Sequence, residues 1–207
     1  MIKIKTLYKL EKQGKNSKAI DEITEGSEWV IQGEGKPYLK LDGTSCAIID
    51  NKFYKRLKVR NAEIANKLVK NKGYILCDRK HGDDYYGWIP VHEDFPEDHW
   101  HRKGWNNLPE NERIGGTYEL VGKNVQSNVY SLDDTFLINH KELQPHICYE
   151  IPRGFNNLKD FLYKSLIPNL IPPKYNFIFR NNEAMFEGIV WHHDDGRMVK
   201  IRRKDFW

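Results

Sequence analysis

The feature that most constrains the fold lies near the C-terminal end of the sequence. Residues 186–204 read FEGIVWHHDDGRMVKIRRK, two strand-like runs separated by Asp195-Gly196, a strong signal for a two-residue hairpin turn. With those two residues at the centre of the turn, Trp191 lies opposite Lys200, Ile189 opposite Arg202, and Glu187 opposite Lys204. Directly paired residues share a face of a sheet. One face is therefore predicted to carry Glu187, Lys200, Arg202 and Lys204, and the other Val190, Val199 and Ile201. A single carboxylate among several cations suits a metal-bound polyphosphate; a solvated charged face is the alternative reading.

The rest of the chain mixes strands and helices without regular alternation, which predicts an α+β fold rather than a doubly wound sheet. IKIKTLYKL near the start and EWVIQ (28–32) alternate at period two and read as short strands, as does TYELVG at 117–122. NAEIANKLVKN (61–71) and NNLKDFLYKSL (156–166) carry apolar residues at helical spacing, the second stopped by Pro168 and then by Pro172 and Pro173. Residues 78–113 are long, polar and aromatic and read as an extended surface excursion. His92, His99 and His101 fall within it, but their spacing matches no structural zinc pattern, so a solvated aromatic loop is expected there. Trp88, Trp100 and Trp105, interleaved with Arg102 and Lys103, offer stacking surfaces beside charge, an arrangement suited to RNA. His192 and His193 are expected as exposed strand-end residues.

Composition sets outer bounds. The 207 residues are 39% hydrophobic and 30% charged, as in a soluble globular chain with a sizeable core. No uninterrupted apolar run is long enough to span a membrane, and the N-terminal segment lacks the hydrophobic stretch of a signal peptide. Cys46, Cys77 and Cys148 form no CxxC pair, which argues against a disulfide framework and for a reducing cytoplasmic or nuclear compartment. A net charge of +4 permits a polyanionic partner without requiring one.

A second constellation is PYLKLDGTSCAII. Alternation places Lys40 and Asp42 on one side of a strand, and Gly43 permits a tight turn or a close backbone approach. Downstream come YKRLKVR, TYELVG, FEGIVW and MVKIRR, in that order. Together these segments resemble the covalent nucleotidyltransferase superfamily of polynucleotide ligases and mRNA capping enzymes. GWIPV at 87–91, TYELVGKNVQSNVY at 117–130, IPRG at 151–154 and EGIVWHHDDGRMVKIRR at 187–203 look like the small single-domain ATP-dependent 5′–3′ RNA ligase family of vertebrates and some viruses.

The resemblance implies a fold of two antiparallel sheets with flanking helices and the nucleotide in the groove between them. It also implies one adenylyltransferase domain over 1–207, with no oligonucleotide-binding barrel beyond it. Lys40 is expected to take AMP from ATP; AMP then caps an RNA 5′-phosphate, and a 3′-hydroxyl displaces it. A lysine of ordinary pKa near 10.4 is almost wholly protonated at neutral pH, so the site must favour the neutral amine. Lys200 and Arg202 are expected to do this and to grip the α-phosphate. By the same resemblance Asp42 lies at the nucleotide, and Glu119 accepts hydrogen bonds from the ribose hydroxyls. Glu187 positions Mg²⁺ or Mn²⁺, and Tyr149, followed by Glu150, stacks on adenine. Arg56 is expected at the nucleotide phosphates and Arg60 at the RNA end, with Arg102 and Lys103 as further RNA contacts. The partners implied are ATP and RNA bearing 5′-phosphate and 3′-hydroxyl ends, with no membrane, for a monomer in the cytoplasm (the host cytosol if viral). A DNA ligase or guanylyltransferase core, a non-sealing RNA-end sensor, and a plain basic RNA-binding module are the rival readings.

Overall fold

The computed structural model describes residues 4–14, 16–81, 84–143, 150–164, 173–175 and 186–207, with only the backbone of 77–81. In chain order the elements begin with β1 (Lys5–Thr6), β2 (Tyr8–Gln13), β3 (Asn16–Ile23), α1 (Glu28–Ile31) and β4 (Lys36–Lys40). Next come β5 (Thr44–Ile49), β6 (Lys52–Val59), α2 (Ala62–Lys72), β7 (Ile75–His81), β8 (Asp84–Pro90) and α3 (His99–Asn107). The last are β9 (Gly116–Gly122), β10 (Thr135–Asn139), α4 (Phe155–Lys164), β11 (Gly188–His192) and β12 (Met198–Arg202). None of the helices described is long and apolar enough to cross a membrane.

Among the described residues the chain divides into two compact units, one built on Asp42–His140 and the other on Ile4–Leu41 with Lys141–Trp207. The unit built on Asp42–His140 is a six-stranded sheet in the order β10-β9-β5-β6-β8-β7, antiparallel throughout. One face buries Cys46, Ile48, Phe53, Tyr118, Leu120 and Leu137, with Trp105 of α3 packed on them. Gly104 lets α3 lie this close: a Cβ there would stand 2.3 Å from Leu120 Cδ1. Helix α2 forms where its periodicity predicts. Asn61 caps it by accepting from the Glu63 and Ile64 amides, and left-handed Gly73 ends it.

The stretch 78–113, expected as a surface excursion, instead supplies much of β7, all of β8, and α3. Its aromatic residues are spent on packing: Trp88 is 6% exposed, and Trp105 stacks on Phe53 with centroids 5.2 Å apart. The charge that made the segment look solvated is absorbed by local pairing, as where Arg102 donates to the His92 and Phe95 carbonyls at 2.7 Å each.

The second unit carries a four-stranded sheet, β1-β12-β11-β4, beside the separate β2-β3 hairpin. Strands β12, β11 and β4 pair antiparallel, whereas β1 runs parallel to β12. Leu39, Ile189, Trp191, Val199 and Ile201 form its buried face, and α4 buries Leu158 and Leu162.

The structure departs from three local expectations. EWVIQ is the short helix α1, not a strand: its neighbours Trp29 and Val30 are both buried while Ile31 is 42% exposed, a pattern strand alternation cannot give. The Arg153 guanidinium fixes the turn by donating to the carbonyls of Val30 (2.7 Å), Gly35 (3.1 Å) and Glu34. The β11-β12 hairpin has a three-residue loop, Asp194-Asp195-Gly196, in place of a two-residue one. His193 N donates to Arg197 O, Gly196 N donates to His193 O, and Gly196 has φ +89°: a turn followed by a glycine bulge. The register therefore slips by one residue. Val190 pairs with Lys200 and Gly188 with Arg202, while Ile189 and Trp191 join Ile201 and Val199 on the buried face. His192 and His193 are half-buried rather than exposed; the His193 ring packs on Trp29 at 5.2 Å and reaches Glu34 at 2.7 Å.

Candidate functional site

The hairpin slip sharpens the cationic face. Lys40 on β4, Gly188 on β11 and Arg202 on β12 lie in one cross-strand row. The adjacent row on the same face is Tyr38, Val190, Lys200 and Thr6. Neighbouring strands are about 4.8 Å apart, so three cations gather around a position that carries no side chain. Gly188 is obligatory there: a Cβ would stand 2.0 Å from Ile201 O and 2.7 Å from Arg202 Cα.

Glu187 reaches this face from just before β11, with its amide donating to Lys40 O at 2.7 Å. Its carboxylate forms a close ion pair with Lys40 Nζ, and its other oxygen is 3.9 Å from Lys204 Nζ. Lys200 is pushed down to about 8 by burial first and then by Arg202 and Lys40, with Glu187 and Asp205 opposing. The row thus contains a lysine with an appreciable neutral fraction near physiological pH. Arg202 is pinned by Asp205, whose carboxylate is 2.6 Å from Nη2 and 3.1 Å from Nε and also accepts from the Arg202 amide at 2.8 Å.

In the six-stranded unit a second row assembles on the face opposite α3. Ile138, Glu119, Ser45, Arg56 and Trp88 follow one another across β10, β9, β5, β6 and β8, by pairing and alternation. Glu119 and Arg56 therefore share a face, two strands apart. The Glu119 carboxylate, 6% exposed, is 2.8 Å from His140 Nε2. His140 Nδ1 in turn lies 3.0 Å from Thr117 Oγ1. Gly43 makes the predicted close approach, since a Cβ would stand 2.3 Å from Leu120 O and 2.7 Å from Glu119 Cγ. The Arg56 guanidinium lies 4.6 Å from the Tyr86 ring centre, and its Nε is buried without a hydrogen-bond partner among the described residues.

The other expected residues fall elsewhere. Strand β4 stops at Lys40, so alternation does not extend to Asp42. The Asp42 amide donates to Tyr130 Oη at 2.7 Å, and its carboxylate accepts from Ser127 at 3.0 Å. Arg60 is exposed just past β6. Arg102 and Lys103 lie on α3, on the face of the sheet away from Glu119 and Arg56, and Lys103 pairs with Asp134 at 3.1 Å. Tyr149 lies outside the described residues; Glu150 is exposed.

The structure also adds residues that pattern reading passed over. Asp205 was legible only as an acid three residues after an arginine. His140 and Ser45 gave no signal at all, because their relation to Glu119 is made by strand pairing.

Among the described residues no group of three or more His, Cys, Asp or Glu side chains is placed to enclose a metal. Glu187, with one oxygen on Lys40 and the other loosely held, offers a single carboxylate. That fits a Mg²⁺ ion whose remaining ligands are waters and substrate phosphates.

Searched against known families, the chain matches no family model. Among curated proteins it is 24% identical to "RNA ligase 1" of Rattus norvegicus, over 91% of this chain and 66% of that protein. It is 25% identical to the Danio rerio protein of the same name, over 67% of this chain and 45% of the relative. The Mus musculus protein aligns at 23% identity. The chain is distantly similar to RNA ligases. It spans about half to two thirds of the length of these relatives.

Proposed function

We propose that this protein is an ATP-dependent RNA ligase working through a lysyl-AMP intermediate on Lys40. The observation that carries the reading is the row Lys40–Gly188–Arg202 flanked by Lys200 and Glu187, a set of cations around a cleared space beside a primary amine. The distant similarity to proteins named RNA ligase 1 supports the choice of RNA as the polymer.

In the first step the neutral Lys40 amine attacks the α-phosphorus of ATP. A nitrogen–phosphorus bond forms, the bond to the diphosphate oxygen breaks, and the amine's extra proton is released. Arg202 and Lys200 balance the charge on the transferring group, Arg202 without reorganising because Asp205 already holds it. Bound Mg²⁺ supplies neutralisation of the departing diphosphate, with Glu187 as the residue that would hold it through water. Glu119, whose carboxylate lies 2.8 Å from His140 Nε2, is the residue we assign to the ribose hydroxyls. An RNA 5′-phosphate oxygen then attacks the phosphorus of lysyl-AMP and restores the Lys40 amine. Finally the 3′-hydroxyl attacks the 5′-phosphorus of the capped RNA, and AMP leaves. Arg56 is the residue we assign to the nucleotide phosphates, on the same sheet face as Glu119.

Intact-mass measurement after incubation with ATP and Mg²⁺ tests this directly. The wild type should gain one AMP, about 329 Da, and Lys40→Ala none. Labelling by GTP alone would redirect the reading to a capping enzyme. A protein that gains no mass with any nucleotide or divalent ion, yet binds RNA ends, would be an end sensor instead. RNA and DNA 5′-phosphate substrates then separate the two ligase classes.

A further inference from the structure

We infer that Asp205 is a positioning residue for nucleotide binding, holding the Arg202 guanidinium in the orientation that receives the phosphates; the inference rests on the ligase reading above. Asp205 is 1% exposed and sits at the end of the short 3₁₀ turn Arg203–Asp205 that directly follows β12. Its two oxygens take four hydrogen bonds from a single residue. The Arg202 amide donates at 2.8 Å, Nε donates to both oxygens at 3.1 Å, and Nη2 donates at 2.6 Å. Arginine has five N–H donors in a planar fork. The Asp205 contacts consume the Nε edge, and among the described residues no partner is recorded for Nη1 or the outer Nη2 hydrogen, which can then meet a phosphate.

The cost of this device shows what it is for. A buried carboxylate beside a phosphate site repels the phosphate, and it offsets the cationic field that Lys40, Lys200 and Arg202 create. By charge alone the site would bind a polyphosphate better without Asp205. A guanidinium on a strand end, however, has several free rotatable bonds, and fixing it in advance removes the ordering cost at the moment of binding. Asp205 also raises the Arg202 pKa still further, so the fork stays fully protonated while it is held. Orientation and charge therefore predict opposite signs for the loss of the carboxylate.

The test is the affinity for α,β-methylene-ATP with Mg²⁺, which cannot transfer AMP, measured by calorimetry on the full chain. Asp205→Asn keeps the shape and removes the charge. If Asp205 acts by positioning, affinity falls about tenfold or more, the scale of a hydrogen bond to a charged group. An unchanged or tighter complex overturns the inference. In an Arg202→Ala background the same substitution should change affinity less than twofold, because there is nothing left to position; a full additive loss would mark Asp205 as merely structural and also overturn it.

Should Asp205→Asn fail to fold, hydrogen exchange at the Arg202 Nε–H of the wild type decides by NMR. Protection well beyond that of exposed Arg60 is expected, and exchange as fast as Arg60 would refute the fixed geometry. Failure of the ligase reading is distinguishable. A wild type that binds the analogue but gains no AMP mass loses the lysyl-AMP chemistry and keeps the Asp205 role. A wild type that binds no analogue loses the Asp205 role as well.

Discussion

Two lysines, Lys40 and Lys55, sit on strands and each makes a close ion pair with one carboxylate, yet the two pairs are built for different ends. Lys55 meets Asp98, whose side chain is 0% exposed and whose second oxygen accepts from the His92 amide at 2.8 Å. Every polar atom of that carboxylate is used inside the protein. Lys40 meets Glu187, whose side chain is 16% exposed and whose second oxygen has only a loose 3.9 Å contact with Lys204, itself 66% exposed. A closed pair holds the α3 segment against its sheet; an open one leaves an amine and a carboxylate oxygen within reach of a ligand. The difference lies in what surrounds each pair, since both begin as a lysine on a strand of mixed polarity.

The largest effect expected is on stability at the closed pair. Asp98→Ala strands Lys55 and the His92 amide and should cost about 3–5 kcal/mol in urea unfolding. Glu187→Ala should cost only about 1 kcal/mol by the same measurement while sharply reducing AMP transfer. Equal costs at the two sites would dissolve the distinction.

Next in size is the acid limb of stability. His101 is pushed down to about 4, by burial first and by Lys55 second, with Asp98 opposing; both ring nitrogens lack a hydrogen-bond partner among the described residues. Between its unfolded value near 6.5 and its folded value near 4, the unfolded chain binds a proton the native state refuses. Stability should therefore fall as pH drops through that window. His101→Leu should flatten the slope in thermal melts between pH 4 and 6.5, and an unchanged slope would assign the acid lability elsewhere.

The open site has the matching behaviour at high pH. Lys200, pushed down to about 8 from 10.5, is deprotonated in the native state while the unfolded chain still holds its proton. Stability should thus rise as pH climbs from about 8 to 10.5. Lys200→Met should remove that rise and raise the melting temperature at pH 7, while reducing AMP transfer. A variant that melts lower at pH 7 would show that Lys200 contributes packing rather than strain.

The smallest effect sharpens the closed side alone. Arg102→Ala removes two bonds to the His92 and Phe95 carbonyls and should cost about 1 kcal/mol, with AMP transfer unchanged. A loss of RNA affinity at unchanged stability would instead mark Arg102 as an RNA contact.

Much of this protein was readable from local pattern. The helix at Ala62–Lys72 was visible because its apolar spacing repeats within a few residues, while its Asn61 cap and left-handed Gly73 were added by the structure. The strand Gly116–Gly122 and the pairing of the last two strands were visible for the same reason, and the order of the segments around Lys40, Glu119, Glu187, Lys200 and Arg202 pointed to a ligase-like chain. What the sequence by itself determined was which charged residues the chain carries for the proposed chemistry and roughly which strands hold them.

Only the tertiary structure decided which of them face the same way. One extra loop residue at Asp194 changed the hairpin register and put Gly188, rather than Ile189, between Lys40 and Arg202. EWVIQ is a short helix rather than a strand, and Arg153, more than a hundred residues away, donates to the Val30 carbonyl within it and to the Glu34 and Gly35 carbonyls just after it. Burial of Trp88 in its sheet and packing of the partly buried Trp105 on Phe53 set the polar-looking stretch into a strand and a packed helix. Asp205 and His140 acquired their roles only through contact with Arg202 and Glu119. The physical reason is common to all four: hydrogen-bond partners and sheet neighbours are set by spatial proximity, which local periodicity does not encode.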